Sequence, residues 1–413
     1  MSEPIKIVSK FERIAMYLVG FSMVLNLFIL VSLVIPSVLI ILGSIGISTF
    51  YFIKRFNKSD FVNQLINWNL SFYIFFSLLF YFIAILLKVA EPNFNDLIRV
   101  TGISMYFNWV FFVCDTPEKI KSFFFKFSLG LYLILLIQAI LEYNFPVEFG
   151  VLVAGIITKI SIKVSTTLSD SNNFADMIII LSVILMNLYN FKSSKQYRLA
   201  YLVLLFLGFP LVNISGSRQG LIFWAIFFLW FLWGFVKDFS VKKLLQIGGT
   251  MALLISLAVP ILISYFEENP GSAVGRLFLG GANSGESTNS RWSTIEAGFE
   301  FIKSNYFILG SGSINFDKAW FDFTSNDTPL PHNSLLFLYC QYGIFTLVLV
   351  YFLFKSIQRA IKVRQVLIVF CLLIPFFFQP NYPYYGISIF VISYIDACYL
   401  RQNENELGLE LIS

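Results

Sequence analysis

Apolar runs long enough to cross a bilayer recur along almost the whole chain. In hydrocarbon every backbone N–H and C=O must be satisfied within the spanning structure, and each helical crossing takes about 20 residues. The runs predict helices over 14–35, 38–53, 66–87, 97–114, 127–145, 174–191, 198–213, 219–236, 244–264, 334–354, 365–378 and 385–400. The expected fold class is therefore an all-α polytopic membrane protein, a bundle of about 12 transmembrane helices. With 57% hydrophobic and 13% charged residues among 413, the composition is far from that of a soluble globular chain. Lys6, Lys10 and Arg13 precede a first run that is too long for a signal-peptide core and lacks a small-x-small exit, so the first helix is expected to stay as an anchor.

Lysine and arginine orient the bundle, because cytoplasmic loops retain them. They gather at Lys6, Lys10 and Arg13, then around Lys54, Lys119, Lys192, Lys237, Lys355 and Arg401, on alternate connections throughout. The remaining nine are Lys88, Arg99, Lys159, Lys163, Arg218, Arg276, Arg291, Lys303 and Lys318. Both termini are thus expected in the cytoplasm. The net charge of +5 is a topology signal and implies no nucleic-acid partner. Cys114, Cys340, Cys371 and Cys398 fall in or at the ends of apolar runs without CxxC spacing, which suits packing better than a disulfide or zinc site.

The outer connections are unequal. Most are short, but 146–173 and especially 265–333 are long, and long loops in compact proteins tend to carry function. The expected division is 1–264 with nine helices, 265–333 as a large outer loop, and 334–413 with three helices and a short cytoplasmic tail. Within the loop, "SRWSTIEAGFEFIKSN" places Trp292, Ile295, Phe299 and Ile302 on one face at helical spacing, as expected of an amphipathic helix lying on the membrane surface. The segment 147–160 is apolar but too short to span, so it is expected to be interfacial or re-entrant.

Three outer-side residues can do chemistry. "ISGSRQG", 214–220, leaves Arg218 at the start of the eighth predicted helix, where the helix dipole disfavours a cation. A bound anion removes the conflict, since backbone N–H groups and the guanidinium then face one phosphate. Arg291 repeats the pattern at the head of the amphipathic stretch. Either arginine alone is equally compatible with snorkelling to lipid headgroups or with pairing to a loop carboxylate. His332 is the single histidine and precedes Asn333 and Ser334, either of which can cap the tenth helix. Its position at a positive helix end favours neutral imidazole, which suits a base, while a structural histidine bonded to a loop carbonyl fits the local sequence too.

Taken together, the S-x-S-R-x-G break, the large outer loop with Arg291, the small-residue turn "LGSGS" at 309–313, "HNSLLFLYCQYGIF" from His332, and "SDSNNFADM" at 169–177 resemble the O-antigen polymerase and O-antigen ligase superfamily. The likeness covers about 165–350. It implies a C-type-glycosyltransferase-like helical architecture in the bacterial inner membrane, with a periplasmic site and an undecaprenyl-diphosphate-linked oligosaccharide as donor. In a polymerase the acceptor is a second lipid-linked repeat unit. Residue by residue, Arg218 and Arg291 are expected to hold the diphosphate and His332 to act on the acceptor hydroxyl, with Asn173 and Asn333 also at the substrate. Trp292, Tyr306, Phe316, Trp320 and Phe321 offer faces for sugar stacking or for interfacial anchoring. Glu286, Glu296, Glu300, Asp317, Asp322 and Asp327 can orient the imidazole or compete with it as base. No outer D-x-D pair is visible, so no metal and no cofactor is expected, and arginine must serve the leaving group. A chain-length regulator and a flippase are conceivable partners. An O-antigen ligase shares donor and topology and differs in its acceptor. A flippase or other transporter should keep its ionisable groups near the midplane, whereas these gather outside. A non-catalytic chain-length regulator or scaffold leaves the arginines and histidine without a purpose.

Overall fold

The computed structural model describes residues 8–25, 37–56, 79, 82–83, 85–86, 94–114, 116–144, 171–188, 194–236, 240, 260, 263–264, 267–268, 272–278, 284–304, 306–311, 316–325, 331, 333–363, 365–378 and 390–400. Among them helix is the only regular structure, as the apolar runs predict. They form two compact units, Met1–Ser128 with Thr288–Ser413, and Leu129–Ser287.

In the first unit, α1 (Lys10–Leu25), α2 (Ser37–Arg55) and α3 (Phe94–Val113) pack together, joined by the first turns of α4 (Pro117–Asn144). Polar groups buried among apolar helices must be paired. Arg55 accordingly donates through Nη2 and Nε to the Glu12 carboxylate at 2.7 and 3.1 Å, and the Trp109 indole adds a third donor at 3.3 Å. Burial works against ionisation of Glu12, but these bonds and the Arg55 charge hold its carboxyl below the ordinary value of 4.5. Gly20 gives Tyr106 the space to donate to the Met16 carbonyl at 2.8 Å; a Cβ there would lie 2.0 Å from the tyrosine oxygen.

The same unit contains α9 (Ser284–Lys303) from Thr288 on, α10 (Phe316–Phe323), α11 (Ser334–Tyr342), a 3-10 turn (Gly343–Phe345), α12 (Thr346–Lys362), α13 (Val366–Phe378) and α14 (Phe390–Leu400). Arg359 on α12 pairs with Asp396 on α14 at 2.6 Å, nearly enclosed, with Tyr399 under the guanidinium at 5.0 Å.

The second unit centres on α5 (Ser171–Leu188), which is buried on all sides from Phe174 to Met186, as expected of a helix apolar all round. α6 (Ser194–Ser215) and α7 (Arg218–Val236) pack against it and each other, and α8 (Ala273–Phe278) rests on both of the latter.

The expectation of twelve spans is met in part. Among the described residues, Glu118–Asn144 is long and apolar enough to cross a membrane alone, and Ser334–Val348 with Val350–Lys362, bent by 62°, makes a second if the bent pair is one span. Shorter apolar helices occupy Ser171–Asn187, Leu202–Ser215, Arg218–Trp230 and Phe390–Leu400. The predicted spans 66–87 and 244–264, the second half of 14–35, and the segment 147–160 lie largely or wholly outside the described residues. On α4, Leu129, Leu133, Ile137 and Ile140 form an exposed apolar stripe while Leu131, Leu135 and Ala139 are buried. Such a stripe suits lipid as solvent.

The single predicted helix over 334–354 is a correction: it is interrupted at Gly343. The "LGSGS" turn meets the chain there. Ile344 N–H donates to the Ile308 carbonyl at 3.2 Å and Ser311 N–H to the Cys340 carbonyl at 2.9 Å. Two glycines make the approach possible. A Cβ on Gly310 would lie 2.2 Å from the Gln341 carbonyl carbon, and one on Gly343 would lie 2.2 Å from the Ile308 oxygen; φ is +66° and +56° respectively.

Candidate functional site

The break between α6 and α7 is built from small and polar residues. Gly216, at φ +68°, ends α6 and returns its N–H to the Asn213 carbonyl at 3.1 Å, a left-handed position glycine fills without strain. Ser217 then caps α7: its Oγ accepts from Gly220 N–H at 3.0 Å and donates to Asn172 Oδ1 on α5 at 2.6 Å. Ser217 N–H is taken by Ser215 Oγ at 3.1 Å. Gly220 lets α7 touch α5, since a Cβ there would lie 2.4 Å from that of Ala175. Arg218 is the first residue of α7 and is half-buried.

Below the break lies a group that sequence reasoning missed. Asp176 is fully buried, one turn along α5 from Asn172, and accepts from the Gln219 amide at 2.5 Å. The signal was present: an ionisable residue early in an apolar helix is costly and usually has a use. Asn173 is half-buried beside it, and its Oδ1 is enclosed with no hydrogen-bond partner among the described residues, so that a donor brought by a ligand would satisfy it. The quoted motifs "SDSNNFADM" and "ISGSRQG" therefore meet in one polar junction. A third strand of chain joins them. Val274 N–H donates to Asn213 Oδ1 at 3.1 Å, and Arg276 Nη1 donates to the Gly216 carbonyl at 2.7 Å. Ser272 through Gly275 are buried against the break, while Arg276 is half-buried.

α9 begins at Ser284, not at Arg291. Arg291 therefore lies two turns inside the helix and away from its first-turn N–H groups, which corrects the expectation that it heads the amphipathic stretch; its side chain lies outside the described residues. The face that packs on protein differs from the apolar face expected to lie on the membrane. Thr294, Gly298, Phe301 and Ile302 face the core, while Trp292 and Phe299 are exposed and Ile295 is half-buried. Gly298 admits Leu336 of α11, whose Cδ2 would lie 2.7 Å from a Cβ. Phe301, Phe316, Trp320, Phe337 and Cys340 form an aromatic core. Phe316 and Trp320 are wholly enclosed there, and Tyr306 stacks on Phe301 at 4.4 Å. Phe321 packs against the same cluster. The rings of Phe316 and Trp320 are thus covered by protein, which corrects their expected place as faces for a sugar; Trp292 alone of the five is strongly exposed.

Asn333, rather than Ser334, caps α11. Its backbone is extended at φ −125° and ψ 121°, and its Oδ1 accepts from Leu336 N–H at 3.1 Å. His332 lies outside the described residues, between the buried Pro331 and this cap. Of the loop carboxylates, Glu296, Glu300 and Asp322 are exposed, and Glu300 pairs with Lys303 at 2.7 Å. The side chains of Glu286, Asp317 and Asp327 lie outside the described residues.

Among the described residues, helices with exposed apolar faces and a polar, arginine-bearing break between apolar helices suit a membrane setting. Residues 202–351 match the family model described as O-antigen ligase. That stretch carries the domain of the O-antigen ligase and polymerase superfamily, whose members are membrane-embedded, glycosyltransferase-like enzymes acting on lipid-linked oligosaccharides. A search of curated proteins gave no match. The matched stretch includes the α6–α7 break, Arg276, Arg291, the 309–313 turn and His332.

Proposed function

We propose that this chain is an O-antigen polymerase: an inverting, metal-independent glycosyltransferase that joins undecaprenyl-diphosphate-linked repeat units on the periplasmic face of the inner membrane. The polar junction around Arg218 carries the reading. Charge and buried amides among apolar helices are expensive, and a lipid-anchored diphosphate sugar is a ligand that repays them. Arg218 and Arg291 hold the diphosphate, the Asn173 Oδ1 and Asn333 take sugar hydroxyls, and Trp292 offers an exposed ring to a sugar or to the interface. His332 accepts the proton of the acceptor hydroxyl as its oxygen attacks the anomeric carbon. The bond from that carbon to the phosphate oxygen breaks, and the electron pair leaves with the diphosphate, whose charge the arginines stabilise. As general base His332 contributes about 10²- to 10⁴-fold. The full bundle has about twelve spans with both termini cytoplasmic, and a flippase and a chain-length regulator work beside it.

The acceptor separates polymerase from ligase. Purified full-length protein in lipid vesicles is given the undecaprenyl-diphosphate-linked repeat unit, with and without lipid A core. A polymerase makes a ladder from the repeat unit alone, and His332→Gln, which keeps a hydrogen-bonding group but takes no proton, abolishes it. Product only when core is added makes the protein a ligase; no product under either condition refutes the transferase reading.

A further inference from the structure

The chain beyond α9 turns back over the end of α11. Gly310 N–H donates to the Tyr306 carbonyl at 2.9 Å, Ser311 N–H to the Cys340 carbonyl at 2.9 Å, and Ile344 N–H to the Ile308 carbonyl at 3.2 Å. Phe307 lies against Tyr339 of α11, with ring centroids 6.0 Å apart. These backbone groups are satisfied inside the protein, yet the side chains at the tip are open: Phe307, Ile308 and Leu309 are 54%, 59% and 42% exposed. A turn that meets water is normally made of Gly, Pro, Asn, Asp and Ser, and three large apolar side chains at its tip are unfavourable there. α12 continues the same edge. Leu347, Tyr351 and Phe354 are exposed at helical spacing, while Thr346, Phe352, Ser356 and Ala360 are buried. In the membrane setting that the matched family implies, such a stripe suits lipid. Ile344, three residues before Leu347, is exposed as well, and its N–H is the one that holds Ile308. The stripe therefore runs from α12 through Ile344 onto the turn.

We propose that the turn 307–309, with Ile344 beside it, is inserted in the bilayer and has the hydrocarbon of the adjoining lipid leaflet as its partner, so that the long connection before α11 is pinned to the membrane by a non-helical wedge. Three observations favour hydrocarbon over a protein partner. Neither 306–311 nor 334–354 contains Asp, Glu, Lys or Arg, whereas a protein docking face carries a polar rim. The charges stop where the wedge begins: Glu300 and Lys303, in the last turn of α9, are exposed and paired with each other at 2.7 Å, and Phe307 follows four residues later. The edge between water and hydrocarbon thus falls across 303–307. Lipid cannot satisfy backbone polar groups, so irregular chain enters it only where protein supplies the partners. The close approach at Gly310 and Gly343 permits that supply, and a turn standing in water has no need of it. The inference requires membrane embedding alone and holds for a polymerase and a ligase alike.

Nitroxide spin labels test it in the full-length protein, with one copy per nanodisc. Ile308→Cys and Leu309→Cys probe the turn, Leu347→Cys the α12 stripe, and Lys303→Cys the aqueous side. The natural cysteines are buried or half-buried, the unsubstituted protein sets the labelling background, and thermal midpoints confirm that each variant is folded. Collision of the label with molecular oxygen, which concentrates in hydrocarbon, is compared with collision with a neutral nickel chelate, which stays in water. Labels at 308 and 309 are expected to match the label at 347, with an oxygen-to-nickel ratio several-fold above that at 303. Nickel contact at 308 and 309 equal to that at 303 places the turn in water and overturns the inference. Exclusion of both probes means that protein covers the turn, and overturns it too. Nickel contact in one-copy discs that disappears in two-copy discs assigns the face to a second copy of the chain, with the same consequence. Nickel contact at 347 shows that the stripe itself is not in lipid, which removes the continuity on which the inference stands and overturns it.

Discussion

Substituting alanine for Gly343 tests whether the break after α11 is built for its position. Gly343 has φ +56° and ψ −138°, a combination in which a side chain is strained by about 1–3 kcal/mol. The new Cβ would also lie 2.2 Å from the Ile308 oxygen and 2.4 Å from its carbonyl carbon. Both atoms are backbone, so relief requires the 308–311 turn to move, and overpacking of this kind costs about another 1–3 kcal/mol. The sum is about 2–6 kcal/mol. At about 2–4 °C per kcal/mol, the midpoint of thermal unfolding in detergent should fall by at least about 4 °C. Polymer formation should fall further, because α11 runs from this break back to the Asn333 cap beside His332. Gly46→Ala is the control. Nothing lies within 4 Å of its added Cβ, and alanine in a helix gains about 0.5–1 kcal/mol over glycine. A Gly343→Ala midpoint equal to wild type, or an equal fall in Gly46→Ala, would refute the geometric argument.

Asn333→Ala removes the α11 cap and should cost about 1 kcal/mol, whereas Asn333→Asp or Asn333→Ser restores the midpoint; thermal melts of the three variants decide it. Because Glu12 titrates below its ordinary value in the folded state, its contribution to stability is fully present above pH 4.5 and is lost as the pH falls through the lowered value; melts across pH 3–6 should show this component in wild type and lack it in Glu12→Gln. Arg55→Ala leaves that carboxylate buried and unpaired, at a cost of about 3–5 kcal/mol, so protein accumulation in the membrane should collapse. Trp320→Ala should destabilise by about 3–5 kcal/mol. Trp292→Ala should leave the midpoint within about 0.5 kcal/mol of wild type, and any loss in that variant should appear in transfer rate or vesicle binding.

Helix identity was legible because apolar runs in this chain end at strong punctuation. The run 198–213 stops at "SGS" and the helix stops at Ser215; the run 219–236 starts after it and the helix starts at Arg218. Packing between distant segments was not legible. The interruption at Gly343 depends on the Ile308 backbone, 35 residues earlier in sequence, and "QYGIF" alone continues an apolar pattern. The face of α9 that packs on protein was not legible, because it is marked by small residues and not by large apolar ones. Thr294 and Gly298 make the contact by being small, and Trp292 and Phe299 stay outside. The start of α9 was hidden by "SGESTNS", whose residues favour caps and turns over helix interiors. At the site, "ISGSRQG" and "SDSNNFADM" were each visible, but the hydrogen bond from Ser217 to Asn172 and the arrival of Arg276 depend on the fold.

Arg55, Arg359, Arg218 and Arg276 divide by burial. Arg55 and Arg359 are nearly enclosed, each with 7% of its side chain exposed, against carboxylates that are themselves 1% and 0% exposed. Charges sealed in this way cannot exchange partners without exposing a bare carboxylate, so they serve to register helices: α1 on α2, and α12 on α14. Arg218 and Arg276 are half-buried at a turn. Each keeps part of its surface exposed, and the hydrogen bonds at the turn run through Ser215, Ser217, Asn213 and Gly216, whose short side chains and backbone define a fixed rim. A rigid rim carrying accessible positive charge has its donors placed before a ligand arrives, so little ordering cost remains when an anion binds. For a lipid-anchored substrate of the kind proposed above, such preorganisation would let the charged headgroup be recognised by a few contacts at one end of a helix pair.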